Sequence, residues 1–393
     1  MKFTAEKNRD YTTRLRQHID NKTTDLADAV VEFDPKIYSD PKLAELEFAN
    51  IFQKMPVLAC HGSQIANPGD FIVVQLARTS AVITRGPDGQ VSAFMNVCRH
   101  RGAKLVFEPS GNTPLFRCRY HAWAYSSDDG ALKAMPQRQS FGMEPCPQRD
   151  LIRLPVEEFH GLVWVLENPQ GQLDIRSFLG PSFCQFFEDY GVAGYHYARS
   201  TELHVELNWK AGMDGYMDVY HLNILHANSI GPYLHGGIMA FDPIGQHARW
   251  CVPRKKLDKV QAEELPTLDA FRYVIGGHLV FPNLEITIEP NHLEFVSFTP
   301  HPTDTTKSIY RVLFLTPDKV ETPEQEATIE RSWQILMSAV RDEDLPIGEA
   351  VQAGTATPQM GTLLLGRNEI ANQFFYRQYE RAVGIPVLRP AKL

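Results

Sequence analysis

Two short hooks carry much of the chemistry in this chain: Cys98-Arg99-His100, then seventeen residues, then Cys118-Arg119-Tyr120-His121. Each hook offers one thiolate and one imidazole. Two such loops held face to face can bind a binuclear iron cluster, with the sulfurs on one iron and the ring nitrogens on the other. A structural zinc ion accepts the same ligand types in a tetrahedron. Its hooks usually place roughly two or more residues between the cysteines, whereas only Arg99 separates Cys98 from His100, and this favours iron.

A second constellation lies within Asp214-Gly215-Tyr216-Met217-Asp218-Val219-Tyr220-His221-Leu222-Asn223-Ile224-Leu225-His226. On a continuous helix, the 3.6-residue period puts His221 about 60° to one side of Asp218 and His226 about 80° to the other. One broad face would then collect all three, and local unwinding would bring the histidines closer. Two neutral imidazoles and one carboxylate, with positions left open, suit an oxygen-activating mononuclear iron(II). For an isolated pair, solvated or core-bonded histidines are the alternative.

The flanking residues sharpen both readings. Asn96-Val97-Cys98-Arg99-His100-Arg101-Gly102-Ala103 and Cys118-Arg119-Tyr120-His121-Ala122-Trp123 closely resemble the cluster loops of Rieske ring-hydroxylating oxygenases. Gly130, Leu132 and Pro136 follow where that family closes its second loop, and Pro68-Gly69-Asp70 resembles the turn opening its Rieske domain. Asn208-Trp209-Lys210 stands ahead of the histidine pair as it does in that family, and the match runs over roughly residues 50 to 375. Glu369, Phe374 and Tyr379 extend it toward the family's closing helix.

The resemblance implies a terminal oxygenase (alpha) subunit with a [2Fe-2S] cluster on Cys98, His100, Cys118 and His121, and a mononuclear Fe(II) on His221 and His226. It also implies that Asp218 is a catalytic bridging acid, accepting hydrogen bonds from imidazoles of both metal centres, and not an iron ligand. The third ligand is expected at Asp344, in Asp342-Glu343-Asp344-Leu345-Pro346 ahead of Glu349-Ala350-Val351-Gln352-Ala353-Gly354, with Glu343 and Asp342 as alternatives. One departure stands out: Asp214-Gly215 occupies the place where many relatives have Glu-Asn.

The implied reaction uses O2 and electrons from outside, since no glycine-rich dinucleotide loop is present. Electrons would come from NAD(P)H through a reductase, with or without a ferredoxin. The expected product is a hydroxylated aromatic or other largely apolar small molecule, by mono- or dioxygenation. N- or O-demethylation is the alternative, and a plain Rieske electron carrier would need the hooks alone. Apolar candidates for the substrate pocket are Met213, Met217, Ile224, Leu225, Met239, Phe241 and Phe281, which serve equally well as core. Arg99, Arg101 and Arg119 suit either an acidic electron carrier or local hydrogen bonds. The resemblance also implies a head-to-tail homotrimer, with or without a small beta subunit.

Composition fits an enzyme of this size. The chain has 393 residues, 43% hydrophobic, enough to bury a core or two. Its net charge of -8 is spread without blocks, which argues against nucleic acid or an anionic membrane surface as partner. No apolar run reaches the ~18 residues of a membrane span, and the charged start Met1-Lys2-Phe3-Thr4 lacks a secretory segment, so cytoplasm is expected. Of the six cysteines, Cys60, Cys146, Cys184 and Cys251 show no paired spacing, which suits a reduced compartment.

The elements that must position these residues follow from periodicity. Residues 1–49 mix charged and apolar residues at helical spacing, with Asp40 as a cap and Pro41 in a first turn. Residues 50–168 hold β-rich runs, at Phe71–Leu76, Ser80–Arg85 and Gln90–Met95, broken by turns such as Gly86-Pro87-Asp88-Gly89. These make a small antiparallel β domain with both hooks on its loops, which the resemblance implies is the Rieske domain. Residues 169–393 alternate at period two in Ser200–Leu207, Tyr273–Val280, Leu284–Ile288, His292–Phe298 and Ile309–Leu315. A helix is expected to open at Thr322-Pro323, with Ile329, Trp333, Leu336 and Val340 on its apolar face. Antiparallel sheet covered by long helices gives an α+β fold class, and the resemblance implies a Rieske domain after a helical segment, then a helix-grip (START-like) catalytic domain.

Overall fold

The computed structural model describes residues 5–265 and 268–392, and the charged start Met1–Thr4 lies outside them. They form two compact units: Phe48–Phe178, and the chain up to Glu47 together with Leu179 onward. Among the described residues no helix is long and apolar enough to cross a membrane.

Alternating apolar and polar residues build the smaller unit. Asp70–Gln75, Ser80–Arg85 and Val91–Met95 are antiparallel neighbours in a five-stranded sheet completed by Ser110–Asn112 and Arg153–Leu154. The expected turn between the second and third of these forms at Gly86–Gly89, where the Gln90 N–H donates to Asp88 Oδ1 at 2.9 Å and Gly89 takes φ 81°. That backbone angle is open to glycine at little cost. A second sheet pairs Val57–His61, Leu162–Val165 and Val156–Phe159, and a third pairs Leu115–Arg117, Ala124–Ser126 and Leu132–Ala134. Phe94, Phe116, Trp123, Tyr125 and Leu132 form one core with Cys98 and Cys118. Burying each large apolar side chain contributes about 1.5–3 kcal/mol, so the hook cysteines are held within a stable core of this unit.

The larger unit is a seven-stranded antiparallel sheet in the order His196–Val205, Ser308–Thr316, His292–Pro300, Leu284–Glu289, Val274–Val280, His247–Pro253, Ala240–Ile244. All five runs that alternate in the sequence supply strands to it, with Glu206, Leu207 and Tyr273 falling just outside the strand ends. Thr322 caps the helix Pro323–Ala339: its Oγ1 accepts from the Gln325 N–H at 3.2 Å, and the Gln325 side chain returns a bond to the Thr322 N–H. Asp40 likewise caps Pro41–Glu47, accepting from the Lys42 N–H at 2.8 Å. The helix Trp209–Met217 approaches the sheet closely at Gly212, where a Cβ would meet the Phe298 ring at 2.3 Å. Helix and antiparallel sheet together make the unit α+β. One small sheet escapes the periodicity reading: Val31–Phe33 pairs with Leu363–Leu365 and Arg389–Pro390. Segments of two or three residues are too short to show a period.

Candidate active site and metal centres

Both hooks close in the same way. A bridge between Val97 and Lys104 shuts the first loop, and the pairing of Arg117 with Ala124 shuts the second. In each loop the cysteine N–H donates to the carbonyl five residues on, Cys98 to Ala103 and Cys118 to Trp123, both at 2.8 Å. The cysteine carbonyl accepts from the residue four on, Gly102 at 3.0 Å and Ala122 at 2.9 Å. The turn this requires is left-handed, with φ 75° at Gly102 and 58° at Ala122. Glycine takes that conformation freely and alanine does so at a cost.

These loops gather the four expected ligands. Cys98 and Cys118 are each 2% exposed. The His100 and His121 rings lie 4.6 Å apart, and His100 stacks on Trp123 at 4.8 Å. His121 Nδ1 is buried with no hydrogen-bond partner. A buried ring nitrogen without a partner is costly unless something else takes its lone pair, and an iron ion in a cluster shared with two buried thiolates would do so. Tyr125 Oη lies 3.4 Å from Cys98 Sγ and accepts the Arg99 N–H at 3.0 Å, fixing the first hook against the core. The three arginines all have local partners: Arg99 donates to the Gln148 carbonyl at 3.4 Å, Arg101 to the Tyr120 hydroxyl at 3.1 Å, and Arg119 pairs with Glu108.

In the larger unit the helix that was expected to carry Asp218, His221 and His226 on one face stops at Met217. Asp218 is extended (φ -80°, ψ 124°), and a short helix resumes at Leu222–Leu225. Unwinding brings the rings together: His221 Nε2 and His226 Nε2 are 3.2 Å apart. Asp344 Oδ1 lies 3.1 Å from His226 Nε2 and 3.6 Å from His221 Nε2. The outer nitrogens each meet a carboxylate, His221 Nδ1 with Asp218 Oδ2 at 3.0 Å and His226 Nδ1 with Glu343 Oε2 at 2.6 Å. Such partners keep the protons on Nδ1. Two ring lone pairs and a carboxylate oxygen then converge with no proton between them, which is repulsive unless a cation sits among them. Among the side chains alone, burial opposes charge on His226 and the Asp344 and Glu343 carboxylates outweigh it, raising its pKa.

The start of the histidine segment is anchored by buried charge. Asn208 caps Trp209–Met217, and Glu47 accepts from Lys210 Nζ at 2.5 Å, Trp209 Nε1 at 2.8 Å and the Tyr379 hydroxyl at 2.7 Å. A buried carboxylate with three donors is satisfied, and it fixes the helix on which the site is built. Asp214 is partly buried beside it. Its Oδ2 accepts from the Tyr38 and Tyr376 hydroxyls at 2.7 and 2.6 Å, and burial pushes its pKa up to about 6.

Glu343 is the residue whose role sequence reasoning missed: it was weighed as a ligand and instead faces the outer nitrogen of His226, where it also accepts from Ser229 Oγ at 2.5 Å. Its direction depends on one turn of π-helix, Val340–Asp344, between Pro323–Ala339 and Leu345–Thr355. Pro346 lacks the N–H that would bond the Asp342 carbonyl, and the Leu345 N–H reaches back to Val340. Asp342 points away, paired with Arg341 at 2.7 Å and half exposed.

His221, His226 and Asp344 line a cavity of about 630 Å³, and its walls correct the expected pocket. Met213, Met217, Met239, Phe241 and Phe281 are core side chains, and Ile224 is 81% exposed; none of the six lines the cavity. Apolar side chains went to the interior on burial free energy. The cavity instead lies between the sheet, through Trp250, Val252, Arg254, Thr287, Glu289, His292 and Glu294, and the helix Pro323–Ala339. Gly277 leaves room for the Trp250 indole, which a Cβ there would meet at 2.1 Å.

Comparison with known proteins bears on what these centres are. A model of the ring hydroxylating alpha subunit (catalytic domain) matches residues 192–385, and one of the Rieske [2Fe-2S] domain matches residues 55–157. The chain belongs to the Rieske ring-hydroxylating oxygenases. That family's two cofactors, a [2Fe-2S] Rieske cluster and a mononuclear iron, suit the donor sets of its two units. Relatives include the anthranilate 1,2-dioxygenase large subunit of Acinetobacter baylyi, 28% identical over 62% of this chain and 48% of that protein. Another is the 2-aminobenzenesulfonate 2,3-dioxygenase alpha subunit of an Alcaligenes species, 29% identical over 50% of each chain. The chain thus spans about half the length of the relatives it matches. The quaternary ammonium Rieske monooxygenase CntA, solved with L-carnitine, shares the fold of this Rieske oxygenase chain at TM-score 0.74 and 23% identity, over 91% of this chain and 96% of that one.

Proposed function

We propose that the chain is a terminal oxygenase that takes electrons from an external reductase, directly or through a ferredoxin, and uses O2 to hydroxylate an aromatic small molecule. The observation that carries this reading is the convergence of His221 Nε2, His226 Nε2 and Asp344 Oδ1 on one wall of the cavity, each histidine backed by a carboxylate. We assign these three as ligands of the mononuclear iron and Cys98, His100, Cys118 and His121 as ligands of the cluster. Bound iron supplies oxygen activation, and the cluster supplies one electron at a time. The chain's own side chains do the rest. Asp218 and Glu343 hold the Nδ1 protons of His221 and His226 and so aim Nε2 at the metal position. The Pro323–Ala339 helix and the sheet form the walls of the space where substrate sits.

In this reading the working unit is a head-to-tail ring of at least three chains, with Asp218 of one chain facing His100 or His121 of the next. Surface exposure supports it: Asp218 is flanked by Tyr220, 66% exposed, and near Ile224, while the second hook presents Tyr120, 57% exposed. Exposed apolar side chains at both places suit a contact between copies. The names of two relatives, an anthranilate and an aminobenzenesulfonate dioxygenase, support ring hydroxylation. A relative named as an N,N-dimethyl phenylurea N-demethylase supports oxidation at a methyl group as the second reading. The test is reductase-driven turnover under isotopic O2 with a panel of aromatic and N-methyl compounds. Label in a hydroxylated product is expected, and no label in any product from iron-loaded protein contradicts the proposal.

A further inference from the structure

The cavity floor is more polar than holding a metal requires. Arg254, Glu289, His292 and Glu294 stand on it, where an apolar substrate would ask for apolar side chains. The two carboxylates are already taken up. Glu294 Oε1 lies 2.9 Å from His292 Nε2, and Glu289 Oε2 accepts from Arg254 Nη2 at 2.5 Å. Arg254 is only partly used. A guanidinium presents five N–H donors in a rigid fork, and Glu289 is the one side chain among the described residues that bonds it. Arg254 Nε is buried with no acceptor. Glu289 is partly buried beside it, and its loss of solvent raises its pKa while Arg254 opposes the rise. A partly buried pair of this kind stabilises a fold little in itself, but it holds a guanidinium with open Nη donors at the cavity wall.

We infer that the substrate carries a carboxylate that docks on Arg254, with Glu289 holding the guanidinium in place from the other side. Carboxylate and guanidinium match in shape and charge, and two parallel bonds would fix the ring's orientation in the cavity shared with His221, His226 and Asp344. Arg254 is then a specificity-determining residue. The inference rests on the oxygenase reading and names the substrate class within it.

The test is calorimetric titration of iron-loaded protein with benzoate and with benzamide, which share a shape and differ in charge. Wild-type protein is expected to prefer benzoate by about tenfold or more. Glu289→Gln should increase that preference, because the competing carboxylate is gone. Removing Arg254 alone would leave the partly buried Glu289 carboxylate without its partner, so the decisive variant is the double change Arg254→Gln with Glu289→Gln. It is expected to lose the preference and keep its affinity for benzamide. Equal affinity of the wild-type protein for both probes, no binding of either, or an unchanged preference in a folded double variant overturns the inference. Iron and sulfide are measured on the same preparation. Full metal content with no carboxylate preference defeats this inference and leaves the oxygenase reading standing; missing metal counts against that reading, while the binding ratio alone decides this one.

Discussion

Glu343 and Asp344 are neighbours in sequence and reach opposite nitrogens of one imidazole, His226 Nδ1 and Nε2. A carboxylate on the outer nitrogen typically changes metal affinity by about 10–100-fold, because it sets both the tautomer and the ring's aim. Glu343→Gln keeps the shape and removes the charge. It should lower mononuclear iron affinity by a factor in that range and leave the visible cluster spectrum unchanged, as read by iron titration of chelated protein. Asp342→Ala, on the exposed side of the same turn, should leave iron affinity unchanged. The opposite ranking would move the carboxylate assignments. The two histidines and the hooks were legible in the sequence because their spacing is local. Glu343's role was not, because a π turn at Val340–Asp344 decides which acid faces which atom. The cavity wall was also illegible: Trp250 and Val252 alternate along one strand, with Arg254 just past its end, but only the folded sheet tells which face lines the cavity.

At the scale of elements, the two hooks are one loop design used twice, and the second copy carries a cost. Ala122 sits at φ 58° where Gly102 occupies the matching place. Left-handed backbone costs a non-glycine residue roughly 1–2 kcal/mol, partly offset in glycine by a more flexible unfolded chain. Ala122→Gly should therefore raise the thermal midpoint of cluster bleaching, and a lower midpoint would show that the alanine methyl packs usefully. The histidine helix offers a pH test. Burial raises the Asp214 pKa from the ordinary 3.8 to about 6, against the opposing pull of Tyr376, Tyr38, Asn372 and Lys210. Between those values the folded protein holds a proton that the unfolded chain has released. Its stability contribution is therefore full below about pH 4 and lost as pH rises through about 6, a change of roughly 3 kcal/mol. Asp214→Asn should flatten the stability profile in that window, measured by denaturant unfolding at pH 4.5 and 7. A variant that keeps the wild-type slope would assign the slope to another group.

For the whole molecule, the sequence periodicity located five of the seven strands of the larger sheet and the capped helix that covers it, because those runs alternate apolar with polar residues and the cap is local; Ala240–Ile244 and His247–Pro253 went unread. It did not show that the chain before Glu47 packs with the chain after Leu179, since pairings such as Val31 with Leu365 join distant short segments. If electrons pass between neighbouring chains, mixing inactive His121→Ala chains with inactive Asp344→Ala chains should restore partial turnover. No recovery in demonstrably mixed oligomers would exclude that route. The central claim is that one chain holds a cluster and a separate iron, and metal analysis of the purified protein tests it most directly. The account predicts about three irons and about two acid-labile sulfides per chain. About two of each, or one zinc with no sulfide, would contradict it.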